Sequence, residues 1–457
     1  MAGNSHRLPP GPRSWWPVKV WGELRRDPLD FLTKLTQEYG DVASFKAVGQ
    51  RYVVVSDPEL AREILLTRAE EFLKGPALQN SKGILGEGLL TAEGETHKRA
   101  RRMMQPAFHA KVVERYAGEI ARSTGELMER WRGEAGAAMD VRGEMMGLTL
   151  VIAGRALFGT MLAGDIEKVR GCMDDLMNNY VRSVVPWGWI LNLIPSATTR
   201  KLVRARAELF GLVERIIAER RGANGRGEDL LSMMIGATDS EGGGGARMTD
   251  QQVRDQAVTI LTAGHETTAN AMTFTLYLLA KFPEEQEKLR EEVRGAVGDG
   301  EVTAEAADRL VRARWVLSES MRLYPPAWTL GRQNKAAMEL GGYRLPAKCT
   351  ILIPQWTLHR DGRFWEKPLE FLPERWREPK HPRFAYMPFS TGPRNCIGES
   401  FAWLEMVICL SMLVREFEFV LPVDAPEMKL TPAITLRPRG AVMMKVSKRA
   451  NLMSGST

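Results

Sequence analysis

Apolar and polar positions along the 457 residues fall into two regimes, a short β-rich start and a long helical body. Two β-rich runs flank Gly49-Gln50 in "DVASFKAVGQRYVVVSD", residues 41–57, and predict a hairpin. "SDPELAREILL" follows as a capped helix with Pro58 at its first helical position. Residues 72–96 are glycine-rich and aperiodic, and read as a long loop. Helical patterns dominate from about 97 to 325, the longest spanning roughly 249 to 281. Thr249 and Gln252 predict a capping box at its start. Apolar residues on most of its faces mark a helix buried through the core; at ~1.5 Å per residue it would cross roughly 45 Å, the width of a domain.

A second helix stops at the two prolines of "MRLYPP". Short strands ("GGYRLP", "CTILIP") and proline-rich loops fill 340–395, and a last apolar helical pattern runs from Glu399 to Val414. "SEGGGGAR", residues 240–247, reads as a mobile surface connection. The pattern predicts a mainly α fold with a minor β region. It divides into a proline-rich lead-in, residues 1–20, and one domain, residues 21–457.

Composition changes this picture little. Apolar content of 44% and charged content of 26% are those of a globular protein. The net charge of +7 is spread along the chain without a nucleic-acid-binding motif, so no nucleic-acid partner is expected. No eighteen-residue stretch is both uncharged and predominantly apolar; the nearest, 183–199, is broken by Pro186 and Pro195. It suits a lip contacting apolar ligand better than a transmembrane span. "MAGNSHRLPPGPRSWWP" lacks a signal-peptide core, and four cysteines without C-x-x-C spacing fit a reducing compartment, so a cytoplasmic location is expected.

Candidate chemistry centres on "FSTGPRNCIGESFAWLE", residues 389–405. Cys396 sits just before a helical pattern, where unpaired N–H groups and the macrodipole favour negative charge. Gly392 and Pro393 make the preceding turn, and Gly398 removes side-chain bulk. Four roles are open to such a cysteine: a small buried hydrophobe, a nucleophile, a zinc ligand, or an axial thiolate on haem iron. The second requires a histidine base in a recognised setting and the third requires companion ligands, and the sequence offers neither.

The run F-x-x-G-x-R-x-C-x-G, present as Phe389, Gly392, Arg394, Cys396 and Gly398, resembles the haem-binding signature of the cytochrome P-450 family. Other motifs follow the family's order over more than 300 residues. "AGHETT" in the long helix resembles its A-G-x-[DE]-T run. The resemblance implies that Ala263 and Gly264 leave room for dioxygen, and that Glu266 and Thr267 order the water that carries protons to it. "ESMR" resembles the E-x-x-R motif, implying that Glu319 and Arg322 pack with Arg375 of "FLPERW" to brace the cysteine loop. "HKRARRMMQPAF" departs from the family in placing His97 where a tryptophan is usual. It still implies His97 and Arg101 as haem-propionate ligands, joined by Arg332 of "WTLGRQNK" and Arg394. His359 reads as a structural loop histidine.

The resemblance implies a single-domain fold, with haem b buried between the long helix and the cysteine loop and Cys396 on the iron. The implied activity inserts one oxygen atom of O2 into a small hydrophobic substrate, a fatty acid, terpenoid or steroid-like molecule. Lining candidates are Leu78 to Leu89, 183–199, Ala327 to Leu330, and Ala433 to Leu436. With no dinucleotide fingerprint or clustered cysteines in the chain, an external ferredoxin or flavodoxin with its reductase is expected to supply electrons. Lys98, Arg99 and Arg102 are the expected docking charges. Two alternatives remain: a haem-thiolate peroxygenase or isomerase needing no O2, which the intact Glu266-Thr267 pair disfavours, and a non-catalytic haem- or lipid-binding protein.

Overall fold

The computed structural model describes residues 7–12, 17–47, 49–134, 136–159, 166–178, 194, 196–222, 227, 229–239, 245 and 247–449. The expected hairpin joins β1 (Val42–Ala47) and β2 (Gln50–Val55), paired antiparallel and closed at Gly49, whose φ of 75° favours glycine. β3 (Phe72–Lys74), β4 (Leu330–Asn334) and β5 (Thr350–Ile353) complete a five-stranded sheet in the order β1-β2-β5-β4-β3. Consecutive valines of β2 are buried on opposite faces. Val53 and Val55 pack toward Ile64, Leu65 and Ile351, and Val54 packs toward Phe31, Leu32 and Leu35. Covering on both faces explains a strand without polar alternation. The register sets Lys74 opposite Arg332, so this sheet carries two cations side by side.

Helices form the rest of the core: α1 (Gly94–Met104), α2 (Ala117–Gly133), α3 (Val141–Ile152), α4 (Asp250–Lys281), α5 (Val311–Leu323) and α6 (Glu399–Glu416). The capping box at Thr249 forms: Gln252 N–H donates to Thr249 Oγ1 at 3.2 Å, and Thr249 N–H donates to Gln252 Oε1 at 3.0 Å. The 32 residues of α4 thread between α3 and α5, and α6 packs on α2. From Val253 to Leu279 every residue of α4 is buried except Arg254, Ala263, Gly264 and Thr267. A small hairpin, β6 (Leu430–Pro432) and β7 (Leu436–Pro438), lies beside α4.

Residues 72–96 are more ordered than the aperiodic reading predicts. Besides β3 they hold short helices at Pro76–Asn80 and Lys82–Leu85, each too short to show a period. Two buried polar side chains of α4 hold this segment: Asp255 accepts from Glu87 N–H at 2.9 Å, and Gln256 from Leu89 N–H at 2.7 Å. Thr238 and Arg247 pair as an isolated bridge at the base of the glycine-rich connection. Of 183–199, only Ile194 and residues 196–199 are among the described residues. No helix among those described is long and apolar enough to cross a membrane.

Gly88 lies flat against α4. A Cβ there would sit 1.9 Å from Thr259 Oγ1 and 2.4 Å from the Asp255 carbonyl oxygen. Gly88→Ala is therefore expected to cost ~1–3 kcal/mol through overpacking, read as a lowered thermal midpoint. A midpoint equal to that of the wild type would show that the loop yields freely.

Candidate active site

The cysteine loop is built by short backbone bonds. Cys396 N–H donates to the Phe389 carbonyl at 2.9 Å, Asn395 N–H to Gly392 at 3.0 Å, and Ser390 N–H to Met387 at 2.8 Å. Gly392 is demanded twice: its φ is 76°, and a Cβ would lie 2.0 Å from the Leu65 carbonyl oxygen. The motif's second glycine is not required by the protein around it, since a Cβ on Gly398 would make only ordinary contact with Phe108 at 3.8 Å. Phe389 stacks obliquely on Trp403, centroids 5.9 Å apart.

Cys172, Cys349 and Cys409 are buried, whereas Cys396 alone among the four presents accessible surface. Yet Cys396 is enclosed deeply enough that desolvation dominates its titration. Accessible and deep together mean that the sulfur faces an internal space. Burial pushes the thiol up to about 11 and nearby Glu399 adds to the rise, while the Gly398 N–H and Arg101 act the other way. The helix start and Arg101 favour the anion, as the sequence suggests, and burial opposes it. A cation in front of the sulfur would reverse that balance.

A cationic corner adjoins the loop. Arg101 anchors it from α1, donating from Nη1 to the Asn395 carbonyl at 2.8 Å and from Nη2 to Asn395 Oδ1 at 2.5 Å. Arg394 pairs with Glu93 at 2.6 Å, so it already holds one carboxylate. Arg332 is buried, and its Nη1 donates to the Gly331 carbonyl; desolvation first, then Arg394, brings its guanidinium down to about 10. His97 is also buried and is brought down to about 3 by desolvation, then by Lys74, Arg394, Arg101 and Arg332. Lys74, unnoticed in the sequence, is buried and donates to the Leu89 and Ala92 carbonyls at 2.6 and 2.7 Å. Desolvation lowers it to about 7 despite Glu93. Lys74, Arg332 and Arg394 share Glu93 as their nearby acid, and with Arg101 they act together on His97; a dianionic ligand would correct this charge imbalance. The two carboxylates of haem fit that corner.

On α4, Ala263, Gly264 and Thr267 share the face left open in an otherwise buried helix, and a Cβ on Gly264 would meet nothing within 4 Å. Thr267 Oγ1 donates to the Ala263 carbonyl at 2.7 Å. Glu266 is buried and accepts from Thr435 Oγ1 at 2.8 Å, with Arg437 Nη1 at 3.8 Å. Burial raises its pKa, offset by the Thr435 bond and Arg437.

Glu319, Arg322 and Arg375 come together away from solvent. Arg322 reaches Glu319 in a fork at 2.8 and 2.9 Å, and Arg375 Nε donates to Glu319 Oε1 at 2.9 Å. Arg322 also donates to the carbonyls of His359, Pro368 and Glu370, and Arg375 to those of Glu366 and Lys367. The Leu372 N–H and Trp376 Nε1 add two more donors to Glu319. His359 is fully buried, with Nε2 3.3 Å from the Met387 N–H at the entry to the cysteine loop. The charges expected to dock a donor are not free: Arg99 and Arg102 both reach buried Asp239, at 3.2 and 3.3 Å, and Lys98 lies 3.4 Å from Glu70 and Glu95.

Comparison with known proteins agrees with this geometry. Residues 9–445 match the family model described as Cytochrome P450. The chain is 33% identical over 421 residues to cyclooctatin synthase of Streptomyces melanosporofaciens, covering 91% of this chain and 89% of that protein. It is 34% identical over 399 residues to cyclooctat-9-en-7-ol 5-monooxygenase of the same organism, covering 86% and 85%. Against pentalenene oxygenase of Streptomyces avermitilis it is 29% identical over 426 residues, covering 92% and 93%. The chain belongs to the cytochrome P450 family, haem b-containing monooxygenases of mainly helical fold.

Glu319 is fully buried and neutralises an equally buried arginine. Removing one partner of such a pair typically costs ~3–5 kcal/mol. Glu319→Ala is expected to lose stability on that scale in denaturant unfolding, and to retain less haem per chain. Stability within ~0.5 kcal/mol of wild type, the range of neutral surface changes, would contradict the bracing role.

Proposed function

We propose that this monooxygenase oxygenates an apolar, terpenoid-like substrate with electrons from a separate ferredoxin or flavodoxin system, and that Cys396 is the axial haem ligand. The observation that carries the ligand assignment is the Cys396 thiol, open to an internal space inside a closed backbone loop. Haem, when bound, supplies dioxygen activation, and a thiolate ligand favours O–O cleavage. The protein's own residues do the rest. Arg101, Arg332, Arg394, His97 and Lys74 would hold the propionates, with Glu93 setting the net charge of the corner. Ala263 and Gly264 would leave room for dioxygen beside α4.

Thr267 has one hydroxyl proton, and it is committed to the Ala263 carbonyl. Its oxygen keeps two acceptor lone pairs, and one of them can accept from a water molecule and so aim that water's other proton into the open face. Glu266, its pKa raised by burial, is a proton source on the neighbouring position. The names of three similar proteins refer to oxygenation of cyclooctat-9-en-7-ol and pentalenene and to cyclooctatin synthesis, which favours the terpenoid among the apolar classes left open. Half-buried Trp328, Ala433 and Ile434 supply an apolar wall of suitable kind. Pairing with Asp239 would reduce the positive charge that Arg99 and Arg102 offer an acidic donor.

Thr267→Ala removes the oxygen that orients the water while leaving the haem contacts in place. Oxygen uptake should continue with more hydrogen peroxide and less product per electron, measured with a terpenoid that shifts the haem spectrum. Wild-type product yield per electron would contradict the role given to Thr267.

A further inference from the structure

Thr435 lies in the turn of the β6–β7 hairpin, and its position is set from several sides. The Ala433 N–H donates to the Thr435 carbonyl at 3.0 Å, and Trp328 Nε1 donates to the Ala433 carbonyl at 2.9 Å. The Leu436 N–H donates to Pro326 at 2.8 Å, and the Leu436 side chain packs with Phe274 of α4. The buried hydroxyl then sits across α4 from two residues one turn apart. It donates to Glu266 Oε1 at 2.8 Å and accepts from Asn270 Nδ2 at 3.4 Å. A hydroxyl has a single proton, so a donor on one side leaves it free to serve an acceptor on the other. Asn270 Oδ1 is buried without a partner, so the clasp is held through its NH₂ alone. Neighbouring residues on a helix point ~100° apart, and this bond draws the Glu266 carboxyl to the hairpin side while Thr267 faces the opening.

We propose that Thr435 is a positioning residue for proton delivery, holding Glu266 against the hairpin and setting the pH range over which oxygen reduction stays coupled to product formation. The inference rests on Glu266 being a proton carrier. The charged groups facing Glu266 are Arg437 on β7, Arg142 on α3, and Asp174 on the helix Ile166–Asn178. Desolvation raises the Glu266 pKa and Asp174 adds to the rise; Thr435, Arg437 and Arg142 oppose it. The Thr435 bond favours the carboxylate, so its loss leaves burial less opposed and keeps the acid protonated to higher pH. The same hairpin supplies Ala433 and Ile434 to the apolar wall, so a substrate pressing on them acts on the residue next in the chain.

The test is an infrared pH titration of the haem-loaded full-length protein, following the carboxyl band that disappears in Glu266→Gln. It is compared in wild type, Thr435→Val and Thr435→Ser, alongside the peroxide-to-product ratio over the same pH range. Thr435→Val should move the band's midpoint to higher pH, raise the peroxide fraction and carry its pH profile the same way. Thr435→Ser, which keeps the hydroxyl, should restore all three. A midpoint unmoved by valine would overturn the proposal, as would a moved midpoint with a wild-type peroxide profile. Wild-type coupling in Glu266→Gln would instead overturn the proton-carrying role beneath it, an outcome separable because the valine titration reads the tether directly.

Discussion

A thiolate deep inside a protein loses hydration that a neutral thiol hardly needs, so burial opposes the charge that a metal-binding sulfur must carry. Cys396 is subject to this conflict: desolvation raises its pKa, and one backbone N–H from Gly398 together with Arg101 does not offset it. Beside these two groups, the protein contributes position. The Cys396–Phe389 backbone bond, the Gly392 turn against Leu65 and the Arg101 fork on Asn395 fix where the sulfur points. On the proposed ligation, haem iron would supply the compensating charge.

The rest of the architecture keeps that loop and its surroundings in register. Arg322 and Arg375, both held by Glu319, donate to carbonyls of the 359–370 segment, and the segment leads through buried His359 to Met387 and the start of the loop. Elsewhere β3 and β4 bring Lys74 and Arg332 to one corner, where Glu93 accepts from the Lys74 N–H and pairs with Arg394. The long helix is buried almost throughout, so its three small open positions can define a space instead of merely bordering solvent. Each of these is a packing arrangement whose consequence is electrostatic or spatial at the haem site.

Local chemistry was legible in the sequence wherever it was written in consecutive residues. The Thr249–Gln252 capping box, the 32-residue helix, the β1–β2 hairpin and the cysteine loop are all short-range patterns. What escaped was long-range pairing. Lys74 meets Arg332 through a strand register, Thr435 meets Glu266 across 169 positions, and Asp239 captures Arg102 across 137. Nothing in the local composition of "FLKGP" or "AITLRP" announces such partners. Residues 72–96 read as loop because a three-residue strand and helices of four and five residues cannot display a period. The pairing of Arg99 and Arg102 with Asp239 was hidden for the same reason, since that acid lies far off in the chain.

The most direct measurement is the absorption spectrum of the reduced, carbon monoxide-bound protein in wild type and Cys396→Ser. Oxygen is a harder and less electron-rich ligand than sulfur, so the long-wavelength band that marks thiolate ligation should be present in wild type and absent in the serine variant at equal haem content. Persistence of that band in Cys396→Ser would place another residue on the iron and contradict the account.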